Sequence, residues 1–175
     1  MQNNWHTAVK IVLGHEGGEV NDPNDPGGHT NLGVTQQTLD RARRETGLEL
    51  PAGVGRLTTA QATAIYRHLY WDAVHADELP GGVDIFAFDM AVNQGVGDAL
   101  RALQEAAGAT IDGVWGPNTK AAIDGMDPRV LLMDFAALRS VNYAELSDDL
   151  IERYGFGWYR RLIRTFWHGL MELPA

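Results

Sequence analysis

The residue of this sequence best suited to donate a proton is Glu16, which closes an apolar run and opens a glycine pair in His15-Glu16-Gly17-Gly18. Partial burial at the end of an apolar helix disfavours the charged carboxylate, and can raise its pKa into the range of about 6–7 that suits a general acid. Asp25 follows after eight intervening residues and Thr30 after four more. An acid for a leaving oxygen, a carboxylate for water or a developing sugar cation, and a hydroxyl to orient that water are the groups that glycosidic bond hydrolysis requires. Asp25 and Thr30 also suit a humbler role, since Asx and hydroxyl side chains brace turns by bonding backbone N–H groups. Glu19 adds a second carboxylate near the first, and His15 and His29 flank the stretch as supporting or exposed groups.

Helices must position these groups. Trp5, Ala8, Val9, Ile11, Val12 and Leu13 recur with helical spacing, which predicts a helix from Trp5 to His15 ended by Gly17-Gly18. Residues 17–33 are dense in Gly, Asn, Asp and Pro and read as a loop, with a possible short β-hairpin within 17–34. Helices are then expected from the Thr35 cap to Gly47, after Thr58 to Trp71, and over Asp84–Asn93, Asp98–Ala107, Asn118–Ile123, Arg129–Tyr154 and Trp158–Leu170. The expected class is mainly α. The glycines near 53, 81 and 125 read as connections, because no stretch there is long or low in complexity.

The chain has 175 residues and 45% apolar content, enough for one well-packed core. Its net charge is −9, with six Lys/Arg against ten Asp/Glu in residues 1–80 and eight against thirteen in 81–175. Nucleic acid is therefore a poor partner, because phosphate binding needs clustered cations. An anionic wall polymer would be repelled at long range too, so any affinity must come from a local groove. Cysteine is absent from the sequence, which removes disulfides, thiolate metal sites and a thiol nucleophile. The run Val9–Leu13 is too short for a signal-peptide core or a membrane span, so the expectation is cytoplasmic synthesis without an export signal and no stable membrane insertion.

No metal or other cofactor is expected. His15-Glu16 begins like a zinc-peptidase helix, but the second His that face requires is replaced by Glu19. The segment from Asp22 to Gly27 is rich in oxygen donors, yet it lacks the alternating acidic spacing of a calcium loop and has Gly33 where the closing Glu would stand.

A longer string unites these residues: Glu16-Gly17-Gly18, Asn21-Asp22-Pro23, Asp25-Pro26-Gly27-Gly28, Thr30-Asn31 and Gly33-Val34-Thr35. It continues through Tyr70-Trp71, Asp89-Met90-Ala91-Val92-Asn93-Gln94-Gly95, Ala102-Leu103-Gln104, the run from Asp112 to Thr119, and Gly157-Trp158-Tyr159-Arg160-Arg161. Taken together it resembles glycoside hydrolase family 108, lysozyme-superfamily muramidases of phages, prophages and gene-transfer elements. The resemblance implies a lysozyme-like helical fold, cleavage between N-acetylmuramic acid and N-acetylglucosamine, and Glu16 as the essential acid. Two positions depart from the family pattern: Glu19 stands where an aromatic residue is usual, and Arg160 where Asn is commoner.

The segment from Leu103 to Ala121 resembles the compact peptidoglycan-binding module that accompanies this family. Trp115 then either stacks on a sugar or anchors the turns around it. The implied organisation is a catalytic region, 1–95, with a peptidoglycan-binding-like region, 96–175, packed against it as one unit. Glu16, Asp25 and Thr30 are the expected catalytic groups, and Glu19, His29, Asn93 and Trp115 the substrate contacts. The expected partner is peptidoglycan glycan strands and the expected state a monomer; as an endolysin, a component of an injection apparatus or a wall-remodelling factor, it would reach the periplasm or wall by a holin-like pore, a secretion system or virion packaging. A non-catalytic wall-binding or secretion-accessory protein on the same fold is the main alternative. A chitinase or chitosanase is another.

Overall fold

The structure, a computed structural model, describes residues 4–15 and 30–174, without the side chain of His15. Its elements are α1 (Trp5–His15), β1 (Thr30–Asn31), β2 (Val34–Thr35), α2 (Gln36–Glu45), α3 (Thr59–Tyr66), α4 (Val83–Gln94), α5 (Val96–Ala106), α6 (Pro117–Asp124), α7 (Pro128–Ala144) and α8 (Asp148–Glu172). The class is mainly α and lysozyme-like, with one short hairpin, as the sequence predicts.

Local chemistry explains the boundaries. Thr35 caps α2 by accepting from the Thr38 N–H at 3.0 Å. Thr58 and Gln61 form a reciprocal capping box at the start of α3. Asp127 caps α7, accepting from the N–H groups of Arg129 and Val130, and Pro128 occupies the first turn where no N–H is needed. The hairpin pairs Thr30 with Thr35 and Asn31 with Val34. Its two-residue turn puts both Leu32 (φ 53°) and Gly33 (φ 73°) in the left-handed region, the twist that tight hairpins favour. Leu32 is held in this costly conformation by the Tyr66 hydroxyl, which donates to its carbonyl at 3.1 Å, while the Asn31 amide donates to the carbonyls of Val54 and Leu57.

At the centre runs α4, buried along nearly its whole length from Val83 to Ala91. Around it lies one contiguous apolar core, drawn from α1 through α8. Trp5, Trp71 and Phe88 form an edge-to-face aromatic triangle with centroids 5.3–5.6 Å apart. At the opposite side Phe86 meets Phe135 at 5.2 Å. Where α4 begins, backbone packs on backbone: a Cβ on Gly82 would lie 2.2 Å from the carbonyl oxygen of Gly169 in α8, and Gly82 itself has φ +86°.

Two expectations need correction. The break between the last two helices lies at Glu145–Ser147, not at Gly155–Gly157, and α8 runs unbroken for 25 residues. Gly155 is a buried position of that helix, where a Cβ would press on Ile151 at 3.3 Å. Nor does the helix after Thr58 stay regular to Trp71: from Arg67 it widens to a π-turn, with the Asp72 N–H donating to the Arg67 carbonyl at 2.9 Å.

Candidate functional site

The described elements on either side of the candidate acids in sequence are α1 and the hairpin. Upstream, α1 packs Ala8 and Val12 fully into the core. Its start lies against the start of α4, through the Asn4 amide donating to Asp84 at 3.3 Å and Trp5 on Phe88. Downstream, the hairpin is tied to Tyr66, Val54 and Leu57 as described above. Glu16, Glu19, Asp25 and His29 lie outside the described residues.

At the far end of α4 a cleft of ≈ 530 Å³ opens between α4, α7 and α8, lined by Asn93, Gln94, Asn142, Tyr143 and Trp158. Asp98, Glu145 and Leu146 complete its lining. The rings of Tyr143 and Trp158 stack 5.5 Å apart at 11°, and Tyr154 continues the row 5.7 Å beyond Trp158. Side-chain amides bordered by the half-buried Trp158 suit a polar ring that carries acetamido groups, since the amides exchange hydrogen bonds with its substituents while the indole lies alongside. Gly95, at φ +100°, makes the tight turn from α4 into α5 beside this cleft.

Beneath the cleft floor lies a buried charge cluster. Asp89, on α4, is fully buried; its Oδ2 is 2.7 Å from Arg139 Nη2 on α7, and its Oδ1 is 3.0 Å from Arg161 Nη2 on α8. Arg161 Nε also donates to Oδ1 at 3.0 Å. Burial by itself would push the Asp89 carboxyl up; the two guanidinium charges and their hydrogen bonds outweigh it and hold the group below the usual carboxylate range. Arg139 also lies over the Phe86 ring at 5.1 Å. From there the network reaches the cleft: Arg139 Nη2 donates to the Tyr143 hydroxyl at 3.3 Å, and that hydroxyl donates to Asn93 Oδ1 in a short bond. One carboxylate thus joins three helices and orients two cleft residues.

The described site residues expected from sequence stand apart. Asn93 lines the cleft and is fixed by Tyr143. Thr30 pairs with Thr35 at the base of the hairpin. Trp115 is half-buried and stacks on His75 at 4.9 Å and 7°, in a loop built around Gln104. The Gln104 amide donates to Asp112 Oδ1, the Val114 carbonyl and Thr119 Oγ1, and its oxygen accepts from the N–H groups of Asp112 and Gly113. Every polar atom of a buried glutamine is thereby used to shape residues 112–119, which accounts for that motif structurally. Among the described residues no group of three His, Asp or Glu could hold a metal ion.

Asp89, Arg139, Tyr143 and Trp158 were not among the expected site residues. Asp89 and Trp158 fall in the motif string, whereas Arg139 and Tyr143, though four residues apart and bonded to each other, acquire their site role only through Asn93, 46 and 50 residues away.

Comparison with curated proteins returns no match. Among solved structures the chain is similar to that titled "Structure of Brucella abortus SagA", at 34% identity and TM-score 0.87, over 98% of this chain and 96% of that one. Residues 9–95 match the family described as Glycosyl hydrolase 108. With that match over α1 to α4 and a relative alike from end to end, this chain belongs to the glycosyl hydrolase 108 family.

Proposed function

We propose that this protein is a muramidase that hydrolyses the β-1,4 bond between N-acetylmuramic acid and N-acetylglucosamine in peptidoglycan, with Glu16 as general acid. The observation that carries the reading is the family match over residues 9–95, the span that holds the Glu16-Gly17-Gly18 motif together with Asp25 and Thr30. The cleft supports it. Its side chains Asn93, Gln94, Asn142 and Trp158 combine amides with an indole, the groups that bind an N-acetylated sugar.

In the mechanism, Glu16 protonates the glycosidic oxygen while Asp25, with Thr30, activates a water on the opposite face of the sugar, which inverts the anomeric centre. That geometry needs carboxyl groups about 6.5–9.5 Å apart, against about 5–5.5 Å for a retaining nucleophile. Glu19 and His29 contact the glycan near the acid. Asn93 and Trp158 hold an N-acetylated ring, with buried Tyr143 orienting both.

Residues 1–95 then supply the acid, and residues 96–175 supply the second wall of the groove and the peptidoglycan-binding-like segment around Trp115. The protein works as a monomer at the periplasmic wall, as a phage-type endolysin released by a pore, a secretion system or a virion. Mass spectrometry of digests tests the specificity: muramic-acid reducing ends from peptidoglycan, with chitin oligomers left intact, support the reading, and cleavage of chitin alone refutes it. Proton NMR of the first-formed anomer tests the water-activating role of Asp25. An α product supports inversion and a β product overturns it.

A further inference from the structure

The outer side of α8 carries a surface that the cleft does not use. Phe156 is 84% exposed, Ile163 62%, Trp167 61% and Met171 67%. Their spacing of seven, four and four residues aligns them along one face of the helix, a stripe about 22 Å long at 1.5 Å per residue. The buried positions Gly155, Leu162, Thr165 and Gly169 face the opposite way, into the bundle. Arg153, Arg160 and Arg164 are exposed and fall on the same outer side as the stripe.

Charge sets this face apart from the rest of the molecule. Over residues 153–171 the outer face carries Arg153, Arg160 and Arg164 and no Asp or Glu, a charge of +3 within a chain of −9. Arg161 turns inward to Asp89. Among the described residues Arg153, Arg160 and Arg164 form no ion pair, so their charges are free to meet an external anion, as are those of Arg44, Arg56 and Arg129 elsewhere. The acids of α8 stand at its ends: Glu152 and Asp149 lie one and two turns before Phe156 on this same side, with Asp148 beside them, and Glu172 is at the close.

We propose that this face docks on an anionic lipid bilayer, lying in the plane of the headgroups while the cleft stays in water. Large apolar side chains interleaved with arginines are the chemistry of an interfacial helix: Phe156, Ile163, Trp167 and Met171 enter the acyl boundary, and the arginines extend sideways to lipid phosphates. No helix among the described residues is long and apolar enough to cross a membrane, so the contact is peripheral. Lipid fits better than the other occupants. A two-fold pairing of α8 with a second copy would offer three outward arginines only Asp149 and Glu152 on that side of the helix, whereas lipid phosphates can reach all three. Residues 153–171 contain no Asn or Gln, so they lack the side-chain amides that make the α4–α7–α8 cleft suited to glycan.

Flotation of the full chain with vesicles tests this directly. Vesicles of phosphatidylcholine mixed in equal parts with phosphatidylglycerol should carry the protein, pure phosphatidylcholine vesicles should carry much less, and added salt should weaken the binding. Phe156→Ser combined with Trp167→Ser should abolish flotation, and Arg160→Gln with Arg164→Gln should weaken it by about fivefold per charge; all four positions are solvent-facing, and circular dichroism should show unchanged helix content. Hydrolysis of soluble glycan fragments should be the same in every variant, which separates this surface from the proposed activity. Failure of the wild-type chain to float, or equal flotation of the serine variant, overturns the proposal. So does a lipid-free dimer, or retention on lipid-free wall sacculi, that the serine variant loses while vesicles carry neither protein.

Discussion

Arg139 Nη2 stands 2.7 Å from Asp89 Oδ2, and both side chains are essentially removed from solvent. A guanidinium on α7 and a carboxylate on α4 are therefore committed to each other in a medium where neither can be left alone. The pair fixes how α7 approaches α4, and through Tyr143 it fixes the cleft side chain of Asn93.

Breaking this pair should be costly. Arg139→Met leaves Asp89 with only Arg161, and a buried pair that loses one partner typically destabilises by about 3–5 kcal/mol. The sign of the pH dependence follows from the depressed folded-state pKa of Asp89: its contribution is fully present above the ordinary value of 3.8 and is lost as pH falls through the lower folded value. Urea titrations from neutral pH down to acid should show wild-type stability converging on that of Arg139→Met. Parallel curves would contradict the assignment.

Asp84 should behave in the opposite sense. Burial pushes its carboxyl up from 3.8 to about 6, against hydrogen bonds from Asn4, Ile85 and Gly82, and Glu172 adds repulsion. Folding then favours the protonated form, so this group's contribution to stability falls as pH rises between about 4 and 6. Asp84→Asn keeps an acceptor for those three donors and removes the charge. It should flatten that part of the stability curve and gain on the order of 2 kcal/mol at neutral pH, measured by denaturant midpoints; an unchanged slope would rule the account out.

The contact of Gly82 with Gly169 leaves no room for a side chain. Gly82→Ala combines a left-handed φ of +86° with a Cβ 2.2 Å from a backbone oxygen, so the start of α4 or the end of α8 must shift. A loss of about 3 kcal/mol is expected, seen as a lowered Tm. A variant as stable as the parent would mean that the two helix ends are not so closely joined.

Two cleft variants separate binding from folding. Tyr143→Phe keeps the ring stacked on Trp158 but removes the hydroxyl that Asn93 accepts from, and Trp158→Ala removes the outer ring of the pair. Each should raise KM for glycan strands roughly fivefold with a smaller effect on kcat, since one lost hydrogen bond or stacking contact is worth about 1 kcal/mol. Steady-state kinetics on solubilised peptidoglycan checks this. Unchanged KM in both would remove the cleft from substrate binding.

Elements whose signals are local were legible in the sequence. The periodic run from Trp5, the Thr35 and Thr58 caps and the helix ending near Gln94 all stand where the pattern sets them. The misplaced break shows where local signals mislead. Gly155 and Gly157 look like helix stops, but Gly155 is small because it is buried in the packed helix. The true start of α8 carried its own mark, Ser147 followed by Asp148 and Asp149, acids suited to a first turn even though Ser147 makes no side-chain cap bond. The charge cluster was beyond such reading. Arg139 sits in an apolar helix like any exposed arginine, and only the fold brings Asp89, Tyr143 and Arg161 to it.

The central claim is that Glu16 gives its proton to the bond between two amino sugars. Release of muramic-acid reducing ends from purified peptidoglycan by the parent chain and by Glu16→Gln, with matched circular dichroism and Tm, measures it most directly. The account predicts a loss of at least about a hundredfold in the variant, the lower bound for removal of a general acid. Equal activity in the two proteins, or none in either, would contradict it.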